Sequence, residues 1–323
     1  MTTGGAQHSH DDAASRAACH GFRHLAMACD WEIRVVAPDA AYAQQAAAAA
    51  FGEIDRLEQE LSRFVPHSDI SRINALSAGR SVRIGPDAFD CLRIARRMHA
   101  LTGGAFDVTI GALLGRRADD RPQAAPAPAA PGQTLASQPQ TPPHGLERLH
   151  FDDARKTVTA AVDGLIVDLG GLGKGYAIER AVELLREWGV TAGLVHSGQS
   201  TVYALGAPAG QPGWKLAIRA PARPAETIGY VTLRDQALSG SGAELHGPHI
   251  IDPRTGQAAQ RARAAWACAP SAAVADALST AFMTLEAREI REVCERAPEV
   301  AALVLLDSGP VAAGAAVFRG VGA

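Results

Sequence analysis

The sequence predicts an α+β fold with mixed sheets and flanking helices. A short apolar strand, a glycine turn, a helix and a second strand follow one another between Leu165 and Val195. Several short strands then come in succession, with no further helix until about Ser271, which departs from the regular strand–helix alternation of a doubly wound sheet. Composition permits a sizeable core, because 47% of the 323 residues are hydrophobic and 20% are charged, as in ordinary globular domains.

Element by element, Trp31–Val36 alternates apolar and polar residues, as a half-buried strand does. Tyr42–Leu61 reads as a long helix closed by the polar turn Pro66-His67-Ser68-Asp69. Ser68 or Asp69 then caps a short helix in the segment SDISRIN. Asp87–Leu101 is a helix with Phe89, Leu92 and Met98 on its apolar face, stopped at Thr102-Gly103-Gly104. From Arg116 to His144 the chain is rich in Pro, Ala and Gln with almost nothing to bury, which marks an insertion loop inside one core.

Beyond it, Leu165–Leu169 reads as a strand, Gly170–Gly175 as a tight turn, Tyr176–Trp188 as a helix and Ala192–Val195 as a strand. Such a unit is expected to cross over right-handed with parallel strands. Its glycine-bearing turns then lie at strand C-termini, where open sheets bind ligands. Strands are expected at Trp214–Ile218, Thr227–Leu233, His249–Ile251 and Val300–Leu306, and a helix over Ser271–Ala287.

Charge and cysteine usage exclude some functions. Thirty-one Lys+Arg against thirty-four Asp+Glu give a formal charge of -3, no basis for nucleic-acid binding. The five cysteines are scattered without a C-x-x-C pair, against a disulfide framework or a zinc site. No run approaches the roughly 18 apolar residues of a membrane span, and Met1–His20 lacks the apolar centre of a secretory signal. The chain as written reads as a soluble, cytoplasmic protein with an unstructured segment over residues 1–22.

Several segments carry chemically suggestive residues. The turn Gly170-Gly171-Leu172-Gly173-Lys174-Gly175 serves either as a structural bend or as an anion cradle with Lys174 adding charge. It is not a P-loop, since Asp168 stands where the first glycine belongs and Gly175 follows the lysine. Asp276 and Thr280 are four apart on one helix face, opposite the stripe Val274, Ala277, Leu278, Ala281, Phe282 and Leu285. That face is either solvated or, because it also carries Ala273, Met283 and Ala287, buried. A buried aspartate needs a partner, and a hard cation held by carboxylate and hydroxyl oxygens supplies one. His249, before the turn Asp252-Pro253-Arg254-Thr255-Gly256, is either a general base or a core histidine.

Order and spacing of these segments together resemble the FAD:protein FMN transferases, the flavin transferase (ApbE) family long labelled thiamine-biosynthesis lipoproteins. The resemblance runs from about Met27 to Leu306 and rests on Leu61-Ser62-Arg63-Phe64 with SDISRIN, then TGGAFDVTIGALL, VDLGGLGKGYA, HIIDPRTG and Ala275–Thr280. It implies an ApbE-like, T-fold-related domain over residues 23–323, with the insertion loop at 116–144. It further implies that FAD is the substrate and Mg²⁺ the cofactor. A Thr or Ser hydroxyl of an acceptor flavoprotein attacks the pyrophosphate, FMN stays on the acceptor as a phosphoester, and AMP departs. Physically, the pyrophosphate charge must be neutralised before an alcohol attacks phosphorus.

By the same resemblance the cation is held by the Gly173 carbonyl, Asp276 and Thr280, with Ser279 where some members have another ligand. The flavin and adenine pocket maps onto Met27, Phe64, Ala105, Phe106, Asp107, Gly170, Lys174 and Ile251, and His249 onto the general base.

The chain also departs from the family pattern. His196-Ser197-Gly198-Gln199-Ser200 stands for Asn-x-Gly-Gly-Asp, Gly240-Ser241-Gly242 for Thr-Ser-Gly, and Ala28-Cys29 for Gly-Thr. These changes are expected on the cofactor or acceptor side. They keep open FAD hydrolysis to FMN and AMP, or a non-catalytic FAD-binding homologue. A generic nucleotide-binding domain is the reading independent of the family.

Overall fold

A computed structural model describes residues 18–119, 142–198, 200–220, 223–242, 250–306, 309–314 and 318–319. Strand β1 (Ala18–Ala26) forms a hairpin with β2 (Cys29–Ala37). Helix α1 (Ala40–Leu61) follows, its first amides accepted by the Asp39 carboxylate. Helix α2 (Asp69–Asn74) is capped by Ser68, as SDISRIN predicts. Strand β3 (Ser81–Arg83), helix α3 (Pro86–Leu101) and helix α4 (Gly111–Asp119) come next. After strands β4 (Leu149–Asp152) and β5 (Thr157–Ala160) comes helix α5 (Gly173–Glu187), with strands β6 (Gly193–Ser197) and β7 (Thr201–Leu205) behind it.

Strands β8 (Trp214–Ala220), β9 (Arg223–Leu233) and β10 (Gln236–Gly242) lead to a short hairpin, β11 (Ile251–Asp252) with β12 (Gln257–Ala258). Strand β13 (Ala264–Ala269), helices α6 (Ala272–Phe282) and α7 (Ala287–Arg296), and strands β14 (Ala301–Leu306), β15 (Gly309–Gly314) and β16 (Phe318–Arg319) complete the described chain.

Eight strands form the central sheet in the order β1-β2-β6-β7-β10-β13-β14-β15, with every neighbouring pair antiparallel. Alternate residues of the middle strands serve two cores. Val195, Ala237, Ala265 and Ala267 pack with α1, α5 and α6 on one face. Leu194, Leu238, Trp266 and Cys268 meet Ile218, Val231 and Leu233 of the small β16-β9-β8 sheet on the other. Burial on both faces explains why β13 reads as an unbroken apolar run.

The α+β reading holds, with three corrections to its parts. Leu165–Leu169 is not a strand of the central sheet: it makes one parallel bridge, Ile166 to Ile110, while β6 pairs antiparallel with β2 and β7. The expected parallel crossover therefore does not exist. The helix expected over Ser271–Ala287 ends at Phe282, where the Thr284 hydroxyl turns back to the Ala281 carbonyl, and α7 begins anew with the Glu286 amide capped by the Glu289 carboxylate. Third, β1 starts at Ala18, inside the segment expected to be unstructured, and α4 extends to Asp119, inside the expected insertion loop. Residues 1–17 and 120–141 lie outside the described residues. Cys19, Cys29, Cys91, Cys268 and Cys294 are all unbridged. No helix among the described residues is long and apolar enough to cross a membrane.

Candidate metal and flavin site

Helix α6 sits between α5 and the central sheet and is buried on nearly every side. Such a helix leaves Asp276 no water: the residue is 4% exposed. Its carboxylate is held from two directions. Oδ2 accepts the Gly175 amide at 3.0 Å, from the first turn of α5. Oδ1 lies 3.3 Å from both the Thr201 and the Ser239 hydroxyls, on β7 and β10. Around it runs a series of hydroxyls: Thr201 to Ser239 at 2.9 Å, Ser239 to Ser279 at 3.2 Å, and Ser279 to Ser241 at 2.9 Å. Ser279 and Thr280 also donate back to the Asp276 carbonyl, at 3.0 and 3.2 Å. A further hydroxyl, Ser197 Oγ, is buried without a hydrogen-bond partner among the described residues, on the residue that pairs with Thr201 across β6 and β7.

The glycine turn reaches this cluster by close approach. A Cβ on Gly175 would fall 2.3 Å from the Ala272 carbonyl oxygen, and one on Gly171 would fall 3.1 Å from Thr280 Oγ1 and 3.3 Å from Phe106 Cε2. Four of the turn's six amides are committed: Gly170 donates to Asp168, Leu172 and Gly173 to the Leu169 carbonyl, and Gly175 to Asp276. Gly171 and Gly175 are thus the glycines that let the turn pack closely against α6. Gly173 is buried at the start of α5, and a Cβ there would meet only Leu169 Cβ, at 3.6 Å.

Of the expected pocket residues, Lys174, Phe64 and Phe106 lie at the turn. Lys174 donates its ammonium to the Gly170 carbonyl at 3.1 Å. Asp168 accepts the Gly170 amide at 2.6 Å with Oδ1 and contacts Arg63 Nε at 2.6 Å with Oδ2. The Arg63 guanidinium lies 4.6 Å from the centre of the Phe64 ring, which is 79% exposed. Phe64 is thereby tied to the glycine turn through Arg63 and Asp168, neither of which the sequence reading singled out as a site residue.

Ala105 and Phe106 are buried, and the Phe106 amide is accepted by the Thr102 hydroxyl. The Asp107 carboxylate turns inward, accepting from Thr109 at 2.8 and 2.7 Å and from the Leu146 amide at 3.0 Å. Met27 lies in the β1–β2 turn, and Ile251 is buried in β11. The Asp252 carboxylate accepts from Arg254, which also reaches Glu289 and the Thr284 carbonyl. His249 lies outside the described residues.

Burial perturbs two groups at the edges of the site. The Cys29 thiol is pushed up by desolvation and by the Asp30, Glu58 and Asp276 charges, against the lowering effect of Lys174. The Glu179 carboxyl is raised by burial although Ser271 and the Ala273 amide, at 3.1 Å, donate to it. Glu179 thereby ties α5 to the first turn of α6. Sequence reasoning missed Glu179, Thr201 and Ser239. The signal for Ser239 was present, because Ser239 and Ser241 are two apart on a strand and share a face.

The ApbE family pattern matches residues 27–304. The FAD:protein FMN transferase of Klebsiella pneumoniae (strain 342) is 28% identical over 278 residues, 81% of this chain and 77% of the relative. That of Salmonella typhimurium is 28% identical over 281 residues, 82% and 78%. In fold, the chain matches the flavin transferase ApbE of Vibrio cholerae with a TM-score of 0.75 at 21% identity, covering 93% of this chain and 98% of that one. The apo flavinyl transferase ApbE of Pseudomonas stutzeri matches with a TM-score of 0.77 at 24% identity, covering 95% and 98%. The chain belongs to the ApbE family.

Proposed function

We propose that this protein is a transferase that moves FMN from FAD to a Thr or Ser hydroxyl of an acceptor protein, with Mg²⁺ as cofactor and AMP as the leaving product. The observation that carries the metal assignment is Asp276, a buried carboxylate ringed by hydroxyls. The donor set fits the ion. The donors around Asp276 are hydroxyl oxygens, the hard donor type that suits such a cation. Mg²⁺ is commonly held by one or two carboxylates together with substrate phosphates. Asp276, Thr280, Ser279 and the Gly173 carbonyl are the assigned ligands. When bound, the ion neutralises pyrophosphate charge that otherwise repels an attacking oxygen.

The chain's own residues orient and exclude. Lys174 contributes a cation beside the glycine turn, and the exposed Phe64 ring offers a face on which an isoalloxazine can stack. Met27, Ala105, Phe106, Asp107, Gly170 and Ile251 are assigned to the surrounding wall. His249 is assigned to take the proton of the acceptor hydroxyl, whose oxygen bonds to the FMN phosphorus as the bond from that phosphorus to the bridging oxygen breaks. The bridging oxygen leaves with AMP.

Intact-mass spectrometry of a flavinylation-motif acceptor domain, incubated with this protein, FAD and Mg²⁺, tests the proposal. The expected result is a gain of one FMN that requires Mg²⁺. Asp276→Ala should lower the rate about a hundredfold or more, in the range seen when a preorganised charge-stabilising group is lost. Free FMN and AMP with unlabelled acceptor would instead establish hydrolysis, and intact FAD a binding protein. Full activity of Asp276→Ala would overturn the metal assignment.

A further inference from the structure

We infer that Thr201 and Ser239 are positioning residues that set the orientation of the Asp276 carboxylate and thereby its affinity for a divalent cation, an inference that rests on the metal site proposed above. Both are buried, at 2% and 0% exposure, and they pair directly across β7 and β10. Their sheet face carries Val195, Tyr203, Ala237, Ala265 and Ala267 beside the hydroxyls of Ser197 and Ser241. Val and Ala would fill the same volumes there without burying polar atoms, so packing alone does not account for the hydroxyls. What the hydroxyls reach is Asp276 Oδ1, 3.3 Å from each, while they lie 2.9 Å from one another.

Each hydroxyl carries one proton. At 2.9 Å one of the pair donates to the other. Where Ser239 donates to Thr201, Thr201 is left to donate to Oδ1; where Thr201 donates to Ser239, the Ser239 proton lies between Oδ1 at 3.3 Å and Ser279 Oγ at 3.2 Å. Oδ2 is meanwhile held by the Gly175 amide. The carboxylate plane is thus fixed by a strand pair on one side and α5 on the other, neither belonging to the helix that carries Asp276. An ionised carboxylate offers about four acceptor positions. These contacts leave acceptor capacity for a cation, and no Lys or Arg forms an ion pair with Asp276 among the described residues.

The proton bookkeeping predicts a distinctive mutational pattern. Removing one hydroxyl leaves the other free to donate directly to Oδ1, so Thr201→Val or Ser239→Ala alone should change cation affinity less than about threefold. Removing both leaves Oδ1 without a donor, and cation affinity should fall about 10- to 100-fold, the usual effect of losing outer partners of a ligand. A packing role would instead make Thr201→Ser/Ser239→Ala, which also removes a methyl group, at least as damaging as Thr201→Val/Ser239→Ala.

The test is a titration of the full chain with Mn²⁺ in place of Mg²⁺, in the presence of FAD and without acceptor, with free Mn²⁺ read by electron paramagnetic resonance. Wild type, both single variants, Thr201→Val/Ser239→Ala and Thr201→Ser/Ser239→Ala are compared, and thermal melts check that each is folded. The Thr201→Ser/Ser239→Ala protein keeps one hydroxyl and should bind like wild type. Thr201→Ala/Ser239→Ala gives the same readout if the Val-containing pair does not fold. Equal Mn²⁺ affinity in wild type and the double variant, or strictly additive losses, would overturn the positioning role alone. A wild-type protein that takes up no Mn²⁺ would overturn this inference together with the proposed metal site.

Discussion

At Gly175 the backbone of α5 closely approaches that of α6, and replacing it with alanine measures how tightly the site is assembled. The new methyl would fall 2.3 Å from the Ala272 carbonyl oxygen, 2.7 Å from its carbon and 2.8 Å from Ala273 Cα. All three are backbone atoms, so no side-chain rotation relieves the clash and the helices must separate. Separation also strains the 3.0 Å bond from the Gly175 amide to Asp276. Overpacking costs about 1–3 kcal/mol, and a hydrogen bond to a charged group contributes about 1.5–3 kcal/mol. Alanine's better helix propensity offsets about 1 kcal/mol. The net loss is about 2–5 kcal/mol. For 323 residues, an unfolding entropy of about 2.1 cal/mol/K per residue converts this to a fall of roughly 3–7 °C in Tm. Far-UV circular dichroism melts of the variant measure it. Gly173→Ala is the control, because its Cβ would meet only Leu169 Cβ at 3.6 Å. It should melt with the wild type to within about 1–2 °C. A Gly175→Ala protein that melts with the control would refute the contact as described.

Two further predictions concern the sheet and the α5–α6 clamp. A Cβ at Gly240 would lie 2.8 Å from Trp266 Cδ1 and Nε1, so Gly240→Thr should cost about 1–3 kcal/mol. In Gly240→Thr/Trp266→Leu the loss should be less than the sum of the single losses, as read by urea unfolding; strict additivity would exclude the contact. Burial, with the nearby Glu183 charge, raises the Glu179 carboxyl above its ordinary 4.5 against the bonds from Ser271, Ala273 and Ala272. Its contribution to stability is therefore full below the unfolded value and is lost as pH rises through the folded one. Melts of Glu179→Gln should accordingly gain on wild type between about pH 4 and pH 7, and a difference in Tm independent of pH would contradict the shift.

Local patterns carried most of the elements, and long-range pairing is where they failed. Periodicity gave α1, α3 and α5 nearly to their ends, and the Ser68 cap is a contact between neighbours in sequence. Leu165–Leu169 has a strand's composition but no strand beside it, because the Asn74 side chain takes up both the amide and the carbonyl of Val167. No local pattern distinguishes an extended segment bound by an asparagine 93 residues away from one bound by a ladder. The same holds at the site. Asp276 and Thr280 share one helix and were legible from spacing, and Ser279 from the family resemblance, whereas Thr201 and Ser239 reach Asp276 across 75 and 37 residues. Only the pairing of β7 with β10 beneath α6 brings them there.

The strand alternation also sorts the departures from the family pattern, which the sequence reading placed together on the cofactor or acceptor side. Gly240 points to the far face of the central sheet, where Trp266 of the second core occupies the space a larger side chain would need. Its neighbours Ser239 and Ser241 point to the near face and reach Asp276 and Ser279. Replacing a threonine by Gly240 therefore removes nothing from the carboxylate and its hydroxyls. At the β1–β2 hairpin the loop is Met27-Ala28, with φ of 48° and 54°. A left-handed conformation costs about 1–2 kcal/mol for a residue with a Cβ, so Ala28 holds without glycine's freedom a turn that also sets the direction of Met27. Cys29, the next residue, is the departure that borders the site: its thiol feels both Lys174 and Asp276, and it packs under Gly198, whose Cβ would lie 3.6 Å from it. Gln199 lies outside the described residues, and the Ser200 carbonyl beside it accepts the Gly240 amide at 2.7 Å, tying that turn to the strand of Ser239 and Ser241. The acid and its hydroxyl donors thus stand on scaffold that the Gly240 departure leaves intact, while the Ala28-Cys29 departure borders the site.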